Sequence, residues 1–248
     1  MDAAFLLPDN AAWWGGKVPY QGHQLYADVL YAGHAASAQV LCIHGGGASA
    51  GHSFHGLRQW LLQQGVGSAA VDGIGHGRTG GVWADSSLGG REQQIQAAVQ
   101  HLNLRPRALV GASMGAYNAI RLAQQWGVQQ LVLVVPGIYT PQALHLAFGP
   151  AFSAVIRQPG SWADSDVWDM LAAYTGRLLV VAAAHDEVIP PEIPQRLYAV
   201  ASRAQHRQLL TLAGAGHKDV VPHLAAWPQA LAALQVCLSW PARCSTAA

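Results

Sequence analysis

The stretch Leu109 to Ile120, LVGASMGAYNAI, places a serine between two glycines where a buried-looking run gives way to a helix-like segment. A turn that only reversed the chain would not need this spacing. The pattern Gly111-Ala112-Ser113-Met114-Gly115 fits a tight strand-to-helix turn that pushes the Ser113 hydroxyl out of the chain. Neighbouring backbone segments then run so close that side chains at 111 and 115 would collide. The helix begins beneath the serine, with its free amides facing any developing negative charge. The Met114 amide is the candidate first donor to an oxyanion. Five residues are a weak signal in a chain with 27 glycines, and a serine at such a junction is otherwise a helix cap. The rest of the chain has to decide.

A nucleophilic serine needs a base, and the base needs an acid to hold its tautomer. AAAHDEVIP puts Asp186 just after an apolar run, and TLAGAGHKDV puts His217 just after another. Glu187 is the adjacent alternative to Asp186 but would point elsewhere, and Asp219 reads as surface. In a parallel sheet these strand ends share the carboxyl edge, where ligands gather. The loop HGGG at 44–47 supplies bare amides after a further strand, with Gly46 the first choice for a second oxyanion donor and Gly47 the second choice, next to the substrate. The loop lacks the Gly-Lys-Ser/Thr ending of a P-loop, so nucleotide binding is not expected.

Apolar, unalternating strand-like runs recur between helix-like segments, the signature of a mostly parallel sheet covered on both faces. One interval departs from this rhythm. About 40 residues, 137–176, separate two strands and hold aromatics, prolines and short helical pieces, too long for a plain crossover. They read as an insertion over one end of the sheet. The first twenty residues read as a surface arm carrying Trp13 and Trp14, the last helical region as kinked at Pro228, and the tail from Ser239 as frayed.

Together HGGG at 44–47, DGIGHGRT at 72–79, GASMG at 111–115, HDEVIP at 185–190 and GAGH at 214–217 resemble the α/β-hydrolase superfamily over nearly the whole length. The resemblance implies an α/β-hydrolase fold: an eight-stranded, mostly parallel sheet with helices on both faces and a helical cap. The core would be 1–136 and 177–248, the cap 137–176. It maps nucleophile, acid and base onto Ser113, Asp186 and His217, and the oxyanion amides onto Met114 and Gly46. It makes Asp72 and His76 scaffold or pocket-wall residues rather than catalytic ones, with Thr79 standing where a serine is common. It implies no cofactor, and a small-molecule acyl substrate: an ester, thioester, amide, lactone or activated carbon–carbon bond.

Composition narrows the partners. Lys plus Arg number 14 and Asp plus Glu 13, without a basic block, so phosphate-driven recognition of nucleic acid is unsupported. Arg105 and Arg107 are a short solvated pair. Only 11% of residues are charged and 51% are hydrophobic, enough apolar material for a substantial core. No run is long and apolar enough to span a membrane, no leader pattern opens the chain, and a cytoplasmic protein is expected, as a monomer or homodimer. Three cysteines at irregular spacing do not make a disulfide framework, although Cys237 and Cys244 would be the pair in an oxidising compartment. His44 and His185 lack the convergent partners of a metal site. His44 is expected to brace the glycine loop instead. Tyr139, Phe148, Phe152 and Trp168 are the candidate apolar lining of a substrate pocket, with packing as the alternative, and His145, Arg157 and Asp164 are the sparse polar ones. Ser113, Asp186 and His217 point to a serine hydrolase of a small to medium, largely apolar ester or related acyl compound, with a carbon–carbon hydrolase, thioesterase, perhydrolase or acyltransferase on the same triad, or a non-catalytic ligand-binding protein, as the alternatives.

Overall fold

The computed structural model describes residues 5–33 and 38–239. Cys244 and nearly all of the frayed-looking tail lie outside them. Eight strands form one sheet: β1 (Ala11–Tyr20), β2 (His23–Ala32), β3 (Val40–Ile43), β4 (Ser68–Val71), β5 (Ala108–Ala112), β6 (Gln130–Val134), β7 (Arg177–His185) and β8 (His206–Gly216). Their spatial order is β1-β2-β4-β3-β5-β6-β7-β8. The pairs β1/β2 and β2/β4 are antiparallel, and all others are parallel.

The unalternating apolar runs are explained by two covered faces. Along β3, β5, β6 and β7, Leu41, Leu109, Leu131, Leu133, Leu178 and Val180 enter one core, while Val40, Val110, Val132, Val134, Leu179 and Val181 enter the other. The first core is closed by α2 (Leu88–His101), α3 (Met114–Trp126) and α6 (Glu192–Val200), the second by α1 (His55–Gln63), α7 (His217–His223) and α8 (Pro228–Cys237). Each fully buried aliphatic side chain contributes about 1.5–3 kcal/mol of transfer free energy. Cys42 and Cys237 are buried free thiols within the second core.

From β3 the chain crosses to β4 on one side and then returns to β5 on the other, with α1 and α2 on opposite faces. That reversal opens a crevice beyond the carboxyl ends of β3 and β5. The glycine loop after β3 and the serine turn after β5 both sit there.

Two expectations are corrected. Residues 11–20 are not a surface arm but a ten-residue edge strand, paired from Ala11↔Ala32 to Tyr20↔His23. The hairpin turn is Gln21-Gly22, both at positive φ (43° and 82°), as a two-residue turn matched to strand twist requires. The last helical region is not one kinked helix: α7 and α8 are separated by the turn at Leu224–Ala226, and Pro228 starts α8, where its missing amide costs little. Between β6 and β7 lie the short helices α4 (Pro150–Ile156) and α5 (Val167–Ala173). They are tied down by Arg121, which pairs with Glu92 at 2.7 Å and with Asp166, and by Thr140, which donates to Asp164.

Candidate active site

Ser113 occupies φ 49°, ψ −118°, a region a non-glycine residue adopts only under constraint. The constraints are visible. Its amide donates to the carbonyl of Val134 at 2.9 Å, and its own carbonyl accepts from Gly137 and Ala116, each at 3.0 Å. Val135, next to the same contact, also has positive φ (43°), unusual for a β-branched residue, with its amide held by the carbonyl of Val181 at 2.7 Å. The serine and one neighbour, Val135, are therefore both strained, and only the first was legible as a motif.

His217 Nε2 lies 3.1 Å from Ser113 Oγ, and its Nδ1 lies 2.9 and 3.0 Å from the two carboxylate oxygens of Asp186. A carboxylate only accepts, so Nδ1 carries the proton and Nε2 turns its lone pair toward the hydroxyl. Asp186 Oδ1 also accepts from the amides of Val188 (2.9 Å) and Ile189 (2.8 Å), which fix the carboxylate at the end of β7. Asp219 is more than a surface residue: its side chain accepts from Gly216 and caps the turn that begins α7 at His217. Glu187 is exposed. The chain Asp186–His217–Ser113 is the geometry in which a proton can leave the serine oxygen for the imidazole.

The glycine loop lies against the serine turn. A Cβ on Gly45 would stand 3.2 Å from Ser113 Cβ, and one on Gly46 would stand 3.2 Å from Met114 Cε. Met114 is the first residue of α3, so its amide has no acceptor within the helix. Gly46 is half-buried and Gly47 exposed. His44 is buried and bonded on both sides: Nδ1 donates to the carbonyl of Gly45 at 2.7 Å, and Nε2 accepts from the amide of Gly73 at 3.1 Å. Burial, reinforced by the charge of Arg91 and by His76, holds its pKa well below the ordinary value, so it stays neutral.

Asp72 is scaffold in the structure, accepting from the amides of Gly51 (2.7 Å) and Arg78 (2.8 Å). His76, 3% exposed, donates from Nδ1 to the carbonyl of Ile74 at 3.1 Å. Burial, then the charge of Arg91, pulls it down to about 4 from an ordinary 6.5. The unfolded chain therefore takes up this proton first. Stability is full above pH 6.5 and falls as pH drops through 4, by about 3 kcal/mol for a shift of this size. Urea unfolding of wild type and H76Q across this range is expected to show a shallower acid loss in the variant. Parallel curves would remove His76 as a contributor.

Three of the expected aromatic residues, Tyr139, Phe148 and Phe152, pack together, the Tyr139 and Phe152 rings lying 6.0 Å apart. Phe148 and Phe152 are each 1% exposed and Trp168 5%. Phe148 stacks on Trp83 at 4.8 Å and meets Phe152 edge-on at 4.9 Å. Trp168 packs on Trp162 and under the Arg196 guanidinium, 4.2 Å from its ring centroid. Phe148, Phe152 and Trp168 are thus packed against other aromatic and cationic side chains. Tyr139 stays near the serine turn: its hydroxyl would be 2.7 Å from a Cβ on Gly137, the residue bonded to the Ser113 carbonyl. His145 and Arg157 are exposed, and Asp164 is bonded to Thr140. His145 lines a cavity of about 310 Å³ with Tyr20, Ser86, Gln93 and Gln94, and none of Ser113, Asp186 and His217 reaches it.

Among the described residues no group of three or more His, Cys, Asp or Glu side chains is placed to hold a metal ion, and no helix is long and apolar enough to cross a membrane. The sequence matched no curated protein. Solved structures with the same fold include Est1E from Butyrivibrio proteoclasticus with bound ferulic acid (20% identity, 90% of this chain and 97% of that one, TM-score 0.69). They also include a thioesterase domain from the curacin biosynthetic pathway (21%, 90% and 99%, 0.67). A third is the 2-hydroxy-6-oxo-6-phenylhexa-2,4-dienoate hydrolase of Rhodococcus (16%, 91% and 99%, 0.64). The family model described as serine aminopeptidase, S33, matches residues 34–163, which hold the glycine loop, the Asp72 turn and the Ser113 turn. With more than half of its length under that match and the sheet order given above, the chain belongs to the serine aminopeptidase S33 family of α/β-hydrolases.

Proposed function

We propose that the protein hydrolyses an ester or related acyl compound through a covalent acyl-serine, with Ser113 as nucleophile, His217 as base and then acid, and Asp186 as the group that orients His217. The observation that carries this reading is the unbroken hydrogen-bonded chain Asp186–His217–Ser113, with the serine held in a strained turn. As Ser113 Oγ attacks the carbonyl carbon, His217 Nε2 takes its proton, and Asp186 stabilises the imidazolium. The amides of Met114 and Gly46 hold the oxyanion. The leaving alcohol or thiol departs with the proton from His217. Water, deprotonated by the same histidine, attacks the acyl-serine and releases the acid. The residues between β6 and β7 act as a cap, with Gly47 and Tyr139 beside the substrate.

A short acyl group is favoured over a long one. Phe148, Phe152 and Trp168, the candidate apolar lining, are almost wholly buried against other side chains and leave little free apolar surface for a long chain. The fold is shared with proteins named as an esterase, a thioesterase domain and a 2-hydroxy-6-oxo-6-phenylhexa-2,4-dienoate hydrolase, so it does not by itself choose among acyl substrates. A series of p-nitrophenyl esters from acetate to decanoate, and the matching acyl thioesters, tests the reading. The expected result is kcat/KM highest at acetyl or butyryl and at least tenfold lower at decanoyl. Rising activity with chain length would contradict the short-acyl assignment, and no turnover of any member would contradict acyl hydrolysis.

A further inference from the structure

Arg91 lies on α2 and is 3% exposed, a guanidinium almost wholly removed from water. Its three bonds go to neutral groups: Nε to Asn118 Oδ1 at 3.2 Å, Nη2 to the carbonyl of His44, and Nη1 to the carbonyl of Gly45 at 3.5 Å. The neighbouring carboxylate of Glu92 is taken by Arg121, and no carboxylate among the described residues pairs with Arg91. The void beside it is about 10 Å³, room for one water at most. Burying an uncompensated charge costs several kcal/mol, and an apolar side chain of equal size would be cheaper for packing α2 alone.

The carbonyls it holds explain the expense. The peptide group is planar and trans, so the carbonyl of Gly45 and the amide of Gly46 point in opposite directions. The Gly45 oxygen receives two donors, Arg91 Nη1 and His44 Nδ1, and the Gly45 amide is anchored on Ser49 Oγ at 3.2 Å. Fixing that oxygen aims the Gly46 amide away from α2, and the loop there is in contact with Ser113 and Met114. We infer that Arg91 is a positioning residue of the acyl-transfer site: its buried charge clamps the Gly45–Gly46 peptide and acts through it to stabilise the oxyanion. This rests on the hydrolytic reading given above. Burial lowers the Arg91 pKa to about 10, which leaves the side chain charged throughout the neutral range.

The test compares wild type, R91K, R91M and S113A with p-nitrophenyl acetate, with thermal unfolding recorded for each. It adds the inhibition constant of a trifluoromethyl ketone, which forms an anionic tetrahedral adduct on a serine. R91M is expected to lower kcat about 100-fold with KM within about threefold, and to weaken the ketone by a similar factor. R91K, which keeps the charge but cannot fork across the acceptors, is expected to recover about tenfold of the loss. A folded R91M with kcat within threefold of wild type overturns the inference, as does a loss that appears in KM while ketone binding is unchanged. Should R91M not fold, R91K decides alone: kcat about tenfold lower at unchanged KM supports the role, and wild-type kcat overturns it. S113A separates the two readings. Full activity in S113A defeats the acyl-serine mechanism itself, whereas an inactive S113A beside a fully active R91M defeats only the role of Arg91.

Discussion

S113A is expected to lose on the order of 10⁴-fold or more in kcat on p-nitrophenyl acetate, with KM and thermal midpoint little changed. In the proposed mechanism this hydroxyl attacks: it faces His217 Nε2 at 3.1 Å, and the imidazole is bonded on its other side to Asp186. Removing it eliminates the covalent path and leaves only the residual catalysis that the oxyanion amides and substrate binding provide. Alanine at 113 fits the same backbone, whose strain is held by the bonds to Val134, Gly137 and Ala116 rather than by the side chain. H217A is expected to cost a similar factor, and S113A/H217A no more than either single change, because the two atoms act as one unit. Additive losses would mean that they act in separate steps.

The second large effect concerns folding. A Cβ at Gly115 would overlap the carbonyl oxygen of Ile43 and stand 2.5 Å from that of His44 and 2.8 Å from the carbonyl carbon of Ile43. All are backbone atoms of β3 and the residue after it, so no side chain can swing aside. G115A must lift α3 off β3. Overpacking of this kind costs ~3 kcal/mol or more, a loss of roughly 6–12 °C in Tm for a domain of this size. G56A, inside α1, is the control: its Cβ would meet only Pro222 O at 3.4 Å and Ala225 Cβ at 3.8 Å, ordinary contact, and alanine favours the helix, so a midpoint unchanged or slightly raised is expected. Equal midpoints for the two variants would show that β3 and α3 are not packed as described.

These two glycine-flanked features were legible because tight geometry demands particular residue types. Ser113 between Gly111 and Gly115, Asp186 after β7 and His217 after β8 could be read as strand-end residues, and the apolar strands announced a sheet covered on both faces. What escaped the sequence was set by partners rather than by local pattern. The strand Ala11–Tyr20, with Gly15, Gly16 and Pro19 inside it, shows no alternation, and only its pairing with β2 makes it a strand. Arg91 sits in GREQQIQ, which reads as the wet side of a helix. Its burial follows from the close approach of α2 to the His44 loop. Phe148, Phe152 and Trp168 are buried against other side chains, and spacing alone cannot tell an aromatic that faces a cavity from one that faces its neighbours.

Two histidines outside the triad set what acid does to the protein. His44 and His76 are both buried neutral within contact of one another, their rings 4.7 Å apart, and both hold their pKa values down. Protonating either one costs stability in the segment that presents Gly45 and Gly46, so loss of the glycine loop and loss of fold are coupled at low pH.

The central claim, a covalent acyl-serine at position 113, is tested most directly by intact-mass spectrometry after treatment with a fluorophosphonate, followed by peptide mapping. The account predicts one adduct per chain, located on Ser113, absent in S113A and formed much more slowly in H217A. An adduct on another residue, or an unlabelled wild-type protein that still hydrolyses p-nitrophenyl acetate, would contradict it.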